Sequence, residues 1–413
     1  MIKAGRYTAA LLLLTVGALL IWDQATGDVV HMQYLIQWWP ILFIVWGVEY
    51  IVLNMAYRKS DKRMKLDIGG VFVSVLLSAI VFCVTQPSLV ADLWKKVNFK
   101  INIASDVNVA QWEKFEKPIK RIEVDSGTKN LVVRNDFGDV VIQKGDVKQL
   151  EIETTLRIDA PRKEAEPIAE ESNIHIEQGK QLTIQAQGKS FGNGWKKYPK
   201  MDLVITLPEA ISVDVDVKVE LGDIYVQGIQ APSEVKLLTA KGDVDVEKVK
   251  GSVNAETMLG DVSLTAIEGH AVMNSKSGDL NVSHITAGAE VSTLNGDIRI
   301  EEVSGDITAD TKNGDIDVDS ADQNLKASTL NGDVFIASSK VGGDWTVEST
   351  IGDLEISLPE AGDYEVVGNT TIGSVDVGDL PLQAEHNTIS GIVGNGKYKI
   401  KLDATSSITL KNN

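Results

Sequence analysis

Residues 294–318 read LNGDIRIEEVSGDITADTKNGDIDV and carry Gly-Asp three times. Two of the copies follow Asn and precede Ile-x-(Ile/Val). The same dipeptide stands at 222–223, 242–243, 260–261, 278–279, 296–297, 314–315, 332–333 and 352–353. The middle five intervals are 18 residues and the outer two are 20, as if each outer unit held a two-residue insertion. Other columns keep step with it. After each Gly-Asp comes an apolar-x-apolar pair, such as Val262/Leu264, Ile298/Ile300 and Ile316/Val318. Alternation of period two marks a half-buried strand. About nine residues on, a second strand has inward columns Val253, Ala271, Ala289, Ile307, Leu325 and Ala255, Met273, Val291, Ala309, Ala327. A third column is hydroxylic: Thr257, Ser275, Thr293, Thr311, Thr329.

Each unit therefore holds two short strands and two tight turns. One unit buries about four apolar side chains, each worth roughly 1.5–3 kcal/mol. Ordering its backbone costs about 1–2 kcal/mol per residue. It cannot fold alone, but stacked units can, because each covers its neighbour's open strands. The pattern predicts a β-solenoid of the parallel β-helix kind, with 18-residue, two-strand coils. At ~4.8 Å per coil the repeats make a rod of about 34 Å. An antiparallel meander, sandwich or propeller would also show strands every nine residues. It has no reason to set Thr above Thr and Asp above Asp.

The repeats are expected over 222–372, between an irregular β cap region at 121–221 and a C-terminal β cap at 373–413. In the first of these, APRKEAEPIAEES (160–172) reads as a short helix or loop. In the second, Gly373-Ser374 takes the place of Gly-Asp.

Two columns are candidate site residues. Gly242, Gly260, Gly278, Gly296, Gly314 and Gly332 are read as structural turn residues, since glycine supplies positive φ. Asp243, Asp261, Asp279, Asp297, Asp315 and Asp333 form an acidic ladder. Two unit charges ~5 Å apart in water repel by about 0.9 kcal/mol. A hydrogen bond from a turn N–H to a carboxylate returns about 1.5–3 kcal/mol. A solvated turn-capping ladder is thus tolerable without an ion. The functional alternative is calcium, but the paired glycines of calcium-binding nonapeptide rolls are missing. No metal and no cofactor are expected. Lys241, Lys276 and Lys312 stand near the turns as counter-charges.

The 413-residue chain has a formal net charge of −18, which argues against nucleic-acid binding. Residues 222–353 hold 23 acids against 9 bases, a surface suited to cationic envelope ligands. The single cysteine, Cys83, excludes an intramolecular disulfide. The five histidines show no metal-ligand spacing, and His270 and His284 are expected to face solvent. Nucleophile-elbow, zinc-protease and phosphate-loop motifs are missing from the sequence. An enzyme is not expected; a glycan-processing β-helix enzyme, which would use a local Asp cluster, is the least favoured reading.

The first 90 residues differ in kind. Apolar runs at about 7–22, 34–57 and 68–86 predict three transmembrane helices in a domain covering 1–90. A juxtamembrane linker follows at 91–120. Lys3 and Arg6 precede the first run, and Arg58, Lys59, Lys62, Arg63 and Lys65 lie between the second and third. Residues 23–33 hold no Lys or Arg, so the N-terminus is expected in the cytoplasm and the β domain outside the cell. Lys95, Lys96 and Lys100 weigh against this slightly. Glu49, within the second run, is a candidate functional residue or a packed, protonated one.

Two resemblances accompany these readings. LLLLTVGALLIWDQ (11–24) and WWPILFIVWGVEYIV (38–52) resemble the LiaI/LiaF-like transmembrane region of bacterial cell-envelope stress proteins, over about residues 6–57. The tandem (Asn/Ser)-Gly-Asp-apolar-x-apolar units, with the preceding ITLPEAISVDVDVKVELGDI, resemble the bacterial "putative adhesin" β-strand repeat family, over about 120–410. The resemblances imply a membrane-anchored extracytoplasmic binding or scaffold protein, an accessory sensor or regulator of envelope stress that contacts the lipid bilayer and other membrane proteins. The alternative they imply is a cell-surface adhesin.

Overall fold

In the computed structural model the described residues are 2–4, 64–66, 112–125, 127–192 and 196–413. The three expected transmembrane helices lie outside them, as do Glu49 and Cys83. Among the described residues no helix is long and apolar enough to cross a membrane. Two units are distinguished, Met1–Val107 and Asn108–Asn413. In the first, Ile2–Ala4 and Met64–Leu66 pair in parallel, with Lys3 opposite Lys65.

The second unit is a parallel β-solenoid. Ile298–Val303 pairs in parallel with Ile316–Ala321, setting Ile298 against Ile316 and Ile300 against Val318. Ala289–Asn295 pairs in parallel with Ile307–Asn313, setting Thr293 against Thr311. Like residues therefore stack on like, which an antiparallel meander would not allow. The inward columns of both strands are buried in one core. Ile316, Ala309 and Val334 have no exposed surface.

One inward column is not in phase with the others. After Val262 and Leu264 the next buried residue is Ile267, not residue 266. The cause is a left-handed residue: Lys248, Ala266, His284, Glu302 and Ser320 have φ between 53° and 68°. Each shifts the alternation by one and bends the strand at the second corner, so that Val249, Ile267, Ile285, Val303 and Ala321 turn inward. Gly228, φ 71°, holds the corresponding place in an earlier coil.

The stack runs beyond 222–372 at both ends, and its order there is not the order of the chain. Asn130–Phe137 and Val140–Gly145 form a regular coil under Asp214–Leu221 and Ile224–Gln227. Gln181–Gln187 and Lys200–Pro208 lie outside that coil, although they follow it in sequence. Leu150–Ile158 covers the open edge antiparallel to Lys200–Pro208. The helix Arg162–Glu171 packs Ala165 and Ala169 against Ile158. At the other end Tyr398–Ala404 sits between Trp345–Ile351 and Tyr364–Thr370. The antiparallel hairpin of Gln383–Glu385 and Thr388–Val393 continues from Tyr364–Thr370 on the outer side. Each end is thus closed by a coil threaded back into the stack and by antiparallel strands, as a solenoid's open edges require.

Candidate functional site

The Gly-Asp corner repeats one arrangement coil after coil. Gly296 has φ 149°, and a Cβ there would overlap the carbonyl of Gly278 in the coil before. Gly242, Gly260, Gly278, Gly314 and Gly332 share this geometry, with φ between 149° and 155°. The glycine is needed twice over, for conformation and for space.

The aspartates serve the neighbouring coil. Asp297 Oδ1 accepts the backbone N–H of Asp315 at 2.8 Å, and Asp315 Oδ1 accepts that of Asp333 at 2.8 Å. Asp243, Asp261 and Asp279 do the same for Asp261, Asp279 and Asp297 at 2.8, 2.8 and 2.9 Å. Asp333 bonds Asp353 at 2.7 Å, and Asp353 bonds Ser407 at 2.8 Å. The ladder starts earlier than the repeat suggests, at Asp202, which accepts the N–H of Asp139 at 3.1 Å. The segment Met201-Asp202-Leu203-Val204-Ile205 carries the signal, with Met in the glycine column.

The hydroxylic column completes the corner. Thr311 Oγ1 donates to the Gly296 carbonyl at 3.1 Å, and Thr329 Oγ1 to that of Gly314 at 3.0 Å. In the first regular coil Asn135 takes this place, with Nδ2 donating to the carbonyls of Gly138 and Met201 at 3.0 and 2.8 Å. These side chains are buried, so each supplies a partner that water could not.

Lys241, Lys276 and Lys312 form no ion pair with the ladder carboxylates among the described residues. The counter-charge sits at one end instead. Lys200 Nζ lies 2.7 Å from Asp139 Oδ2 and 3.5 Å from Asp202 Oδ1. Burial pushes the Lys200 ammonium toward neutrality, but the Asp139 hydrogen bond and the Asp202 charge outweigh it and hold its pKa above the ordinary lysine value. His270 and His284 are half-exposed and face Glu290 and Glu302 at 3.7 and 3.1 Å. Among the described residues no three His, Cys, Asp or Glu side chains are grouped as metal ligands.

The outward face differs from the inward one. Along the strands after the corner the outward column reads Ser263, Asn281, Arg299, Asp317, Phe335, Glu355 in register. The inward column one residue before reads Val262, Leu280, Ile298, Ile316, Val334, Leu354. The scaffold repeats while the surface does not. Arg299 Nε donates to Glu301 Oε1 at 2.7 Å, and this bond and the Asp317 charge in the next coil raise its pKa above the ordinary arginine value.

A family model described as Toastrack DUF4097 matches residues 128–336 and 306–408. The chain belongs to the Toastrack DUF4097 family. The matched residues of this Toastrack chain start at 128, just before the first regular coil, and the N-terminal resemblance lies outside them. Solved structures that align with it include a "putative cell adhesion protein" from Clostridium sporogenes ATCC 15579, at 14% identity over 73% of this chain and 100% of that one, TM-score 0.18. A "putative adhesin" from Bacteroides fragilis NCTC 9343 aligns at 14% identity over 72% and 97%, TM-score 0.33. Another from Parabacteroides distasonis ATCC 8503 aligns at 12% identity over 73% and 98%, TM-score 0.25. None of these descriptions names an enzyme. No curated protein matches the chain.

Proposed function

We propose that the Toastrack domain is a non-catalytic binding rod of the cell surface, adhesive in role, and that the N-terminal apolar segments hold it in the membrane with the rod outside the cell. The observation that carries this is the contrast between columns. The carboxylates, hydroxyls and glycines that recur in each coil are spent on joining one coil to the next. What varies from coil to coil, as in Arg299, Asp317 and Phe335, points outward. A constant frame with a changing surface suits recognition of an extended partner, because each ~4.8 Å step presents a different side chain. With 23 acids against 9 bases over 222–353, the partner is a cationic polymer, or an anionic wall polymer bridged by divalent cations.

The test compares cells that display the full chain with cells displaying a variant in which the outward Asp245, Asp317 and Asp319 are all Ser. These changes leave the corners and the core intact. Adhesion to a polycationic surface should fall severalfold in the variant, and should weaken with salt in both. Equal adhesion by cells that lack the chain overturns the reading. External protease on protoplasts should digest the part beyond residue 90, and full protection would overturn the orientation. Recovery of one specific membrane protein by pull-down, with no adhesion, would favour the accessory sensor instead.

A further inference from the structure

We propose that a cleft beside the first Gly-Asp corner binds an organic cation of the quaternary-ammonium class. This does not rest on the adhesive reading, because the cleft is separate from the outward column of the repeats. It encloses about 490 Å³, within the range of small-ligand sites. Its walls are four aromatic rings, Trp112, Phe137, Phe191 and Tyr198, with Leu221 between the coils. Threading of the end coils makes it: Phe137 and Leu221 are register partners in adjacent coils, though 84 positions apart in the chain. Phe191 packs into the small core under the helix Arg162–Glu171, and its backbone bridges Lys197 in both directions at 2.9 Å. That wall is therefore fixed from behind.

Ring geometry and charge select the ligand. Trp112 and Phe137 have centroids 6.4 Å apart and planes inclined by 70°. Two near-perpendicular rings form a corner, which suits a compact, near-spherical cation that meets more than one ring. A flat sugar ring would need a single broad platform. Aromatic faces carry negative potential and attract cations lying within about 6 Å of their centroids. The charges lining the cleft are Asp136, Asp159 and Lys197. Lys197 is neutralised by Asp159, with Nζ to Oδ2 at 2.8 Å. Asp136 is exposed at the rim and is in no ion pair among the described residues, so one negative charge is left over. Trp112 and Tyr198 remain nearly half exposed, at 45% and 49%, and so have ring surface free for a ligand. A trimethylammonium group answers each feature: size, apolar methyl surface and positive charge. It could arrive as free choline or on a lipid head group.

Equilibrium dialysis of choline against the purified full chain, in a medium free of choline and sugar head groups, tests this. Saturable binding is expected. The uncharged carbon isostere 3,3-dimethylbutan-1-ol should bind about tenfold more weakly. Trp112→Ala and Asp136→Asn should each weaken choline binding by about three- to tenfold. Tyr198→Phe, which keeps the ring, should retain it, and far-UV circular dichroism should be unchanged in all three variants. Co-sedimentation with phosphatidylcholine vesicles, against phosphatidylglycerol vesicles, distinguishes a lipid source from the free cation. Failure of choline to bind, equal binding of the isostere, or indifference to both Trp112→Ala and Asp136→Asn would each overturn the proposal. So would preferential binding of N-acetylglucosamine.

Discussion

Asp297 Oδ1 accepts the backbone N–H of Asp315 across the gap between coils, at 2.8 Å. The carboxylate thus serves the turn of the next coil, and that turn's own carboxylate serves the one after. A repulsive row of like charges is held in place because each member satisfies a backbone donor that the sharp corner leaves outside the strand ladder.

Replacing Asp297 by Ala should cost about 1–2 kcal/mol, since the Asp315 N–H loses a charged acceptor. Asp297→Asn keeps an acceptor oxygen and should cost less. Urea unfolding of the two variants checks the order. Millimolar calcium should leave the wild-type midpoint almost unmoved, because one oxygen of each carboxylate is already engaged.

Gly296→Ala should cost about 3 kcal/mol or more, because the new methyl meets the Gly278 carbonyl and the residue holds φ 149°. Gly127→Ala is the control. Its nearest neighbour to a Cβ is a side-chain oxygen at 3.9 Å, so stability should be unchanged within about 0.5 kcal/mol. Thermal unfolding of both variants reads the difference.

Ser320 holds φ 68° without being glycine. A left-handed conformation costs an ordinary residue roughly 1–2 kcal/mol, whereas added glycine freedom in the unfolded chain costs about 0.5–1 kcal/mol. Ser320→Gly should therefore stabilise slightly, by about 0.5 kcal/mol, and raise the melting temperature. Ser320→Val, β-branched at the same φ, should lower it.

Lys200 anchors the start of the ladder, and its pKa is raised above 10.5 by Asp139 and Asp202 against the opposing effect of burial. A raised lysine pKa contributes stability that is complete below the unfolded value and is lost as pH climbs through the folded one. Lys200→Met should destabilise by about 1–2 kcal/mol at neutral pH. The gap to wild type should stay level up to about pH 10 and close above 10.5. Urea midpoints measured across that range check the window.

Much of the fold is legible in the sequence. The interval of 18, the glycine corner and the inward apolar columns follow from local pattern, because a parallel stack demands the same residue type at the same place in each coil. The inward column at Val249, Ile267 and Ile285 was harder to see. Its phase depends on a left-handed residue that the identities Lys, Ala, His, Glu and Ser do not announce. Of the acidic site, the sequence showed that a ladder exists and that turn N–H groups could sustain it. It did not show which N–H each carboxylate meets, that the row begins at Asp202, or that Lys200 rather than Lys241, Lys276 or Lys312 supplies the counter-charge.

By itself, then, the chain's sequence determined the coil: its length, its corners and its interior, all set by contacts between neighbouring repeats. Tertiary structure alone decided how the rod is closed. Tyr398–Ala404 slots between Trp345–Ile351 and Tyr364–Thr370, and Phe137 meets Leu221 to help wall the aromatic cleft. Those pairings join segments that no period relates. Their selection rests on burying the last open strands and edges, a condition that arises only when the whole stack is assembled.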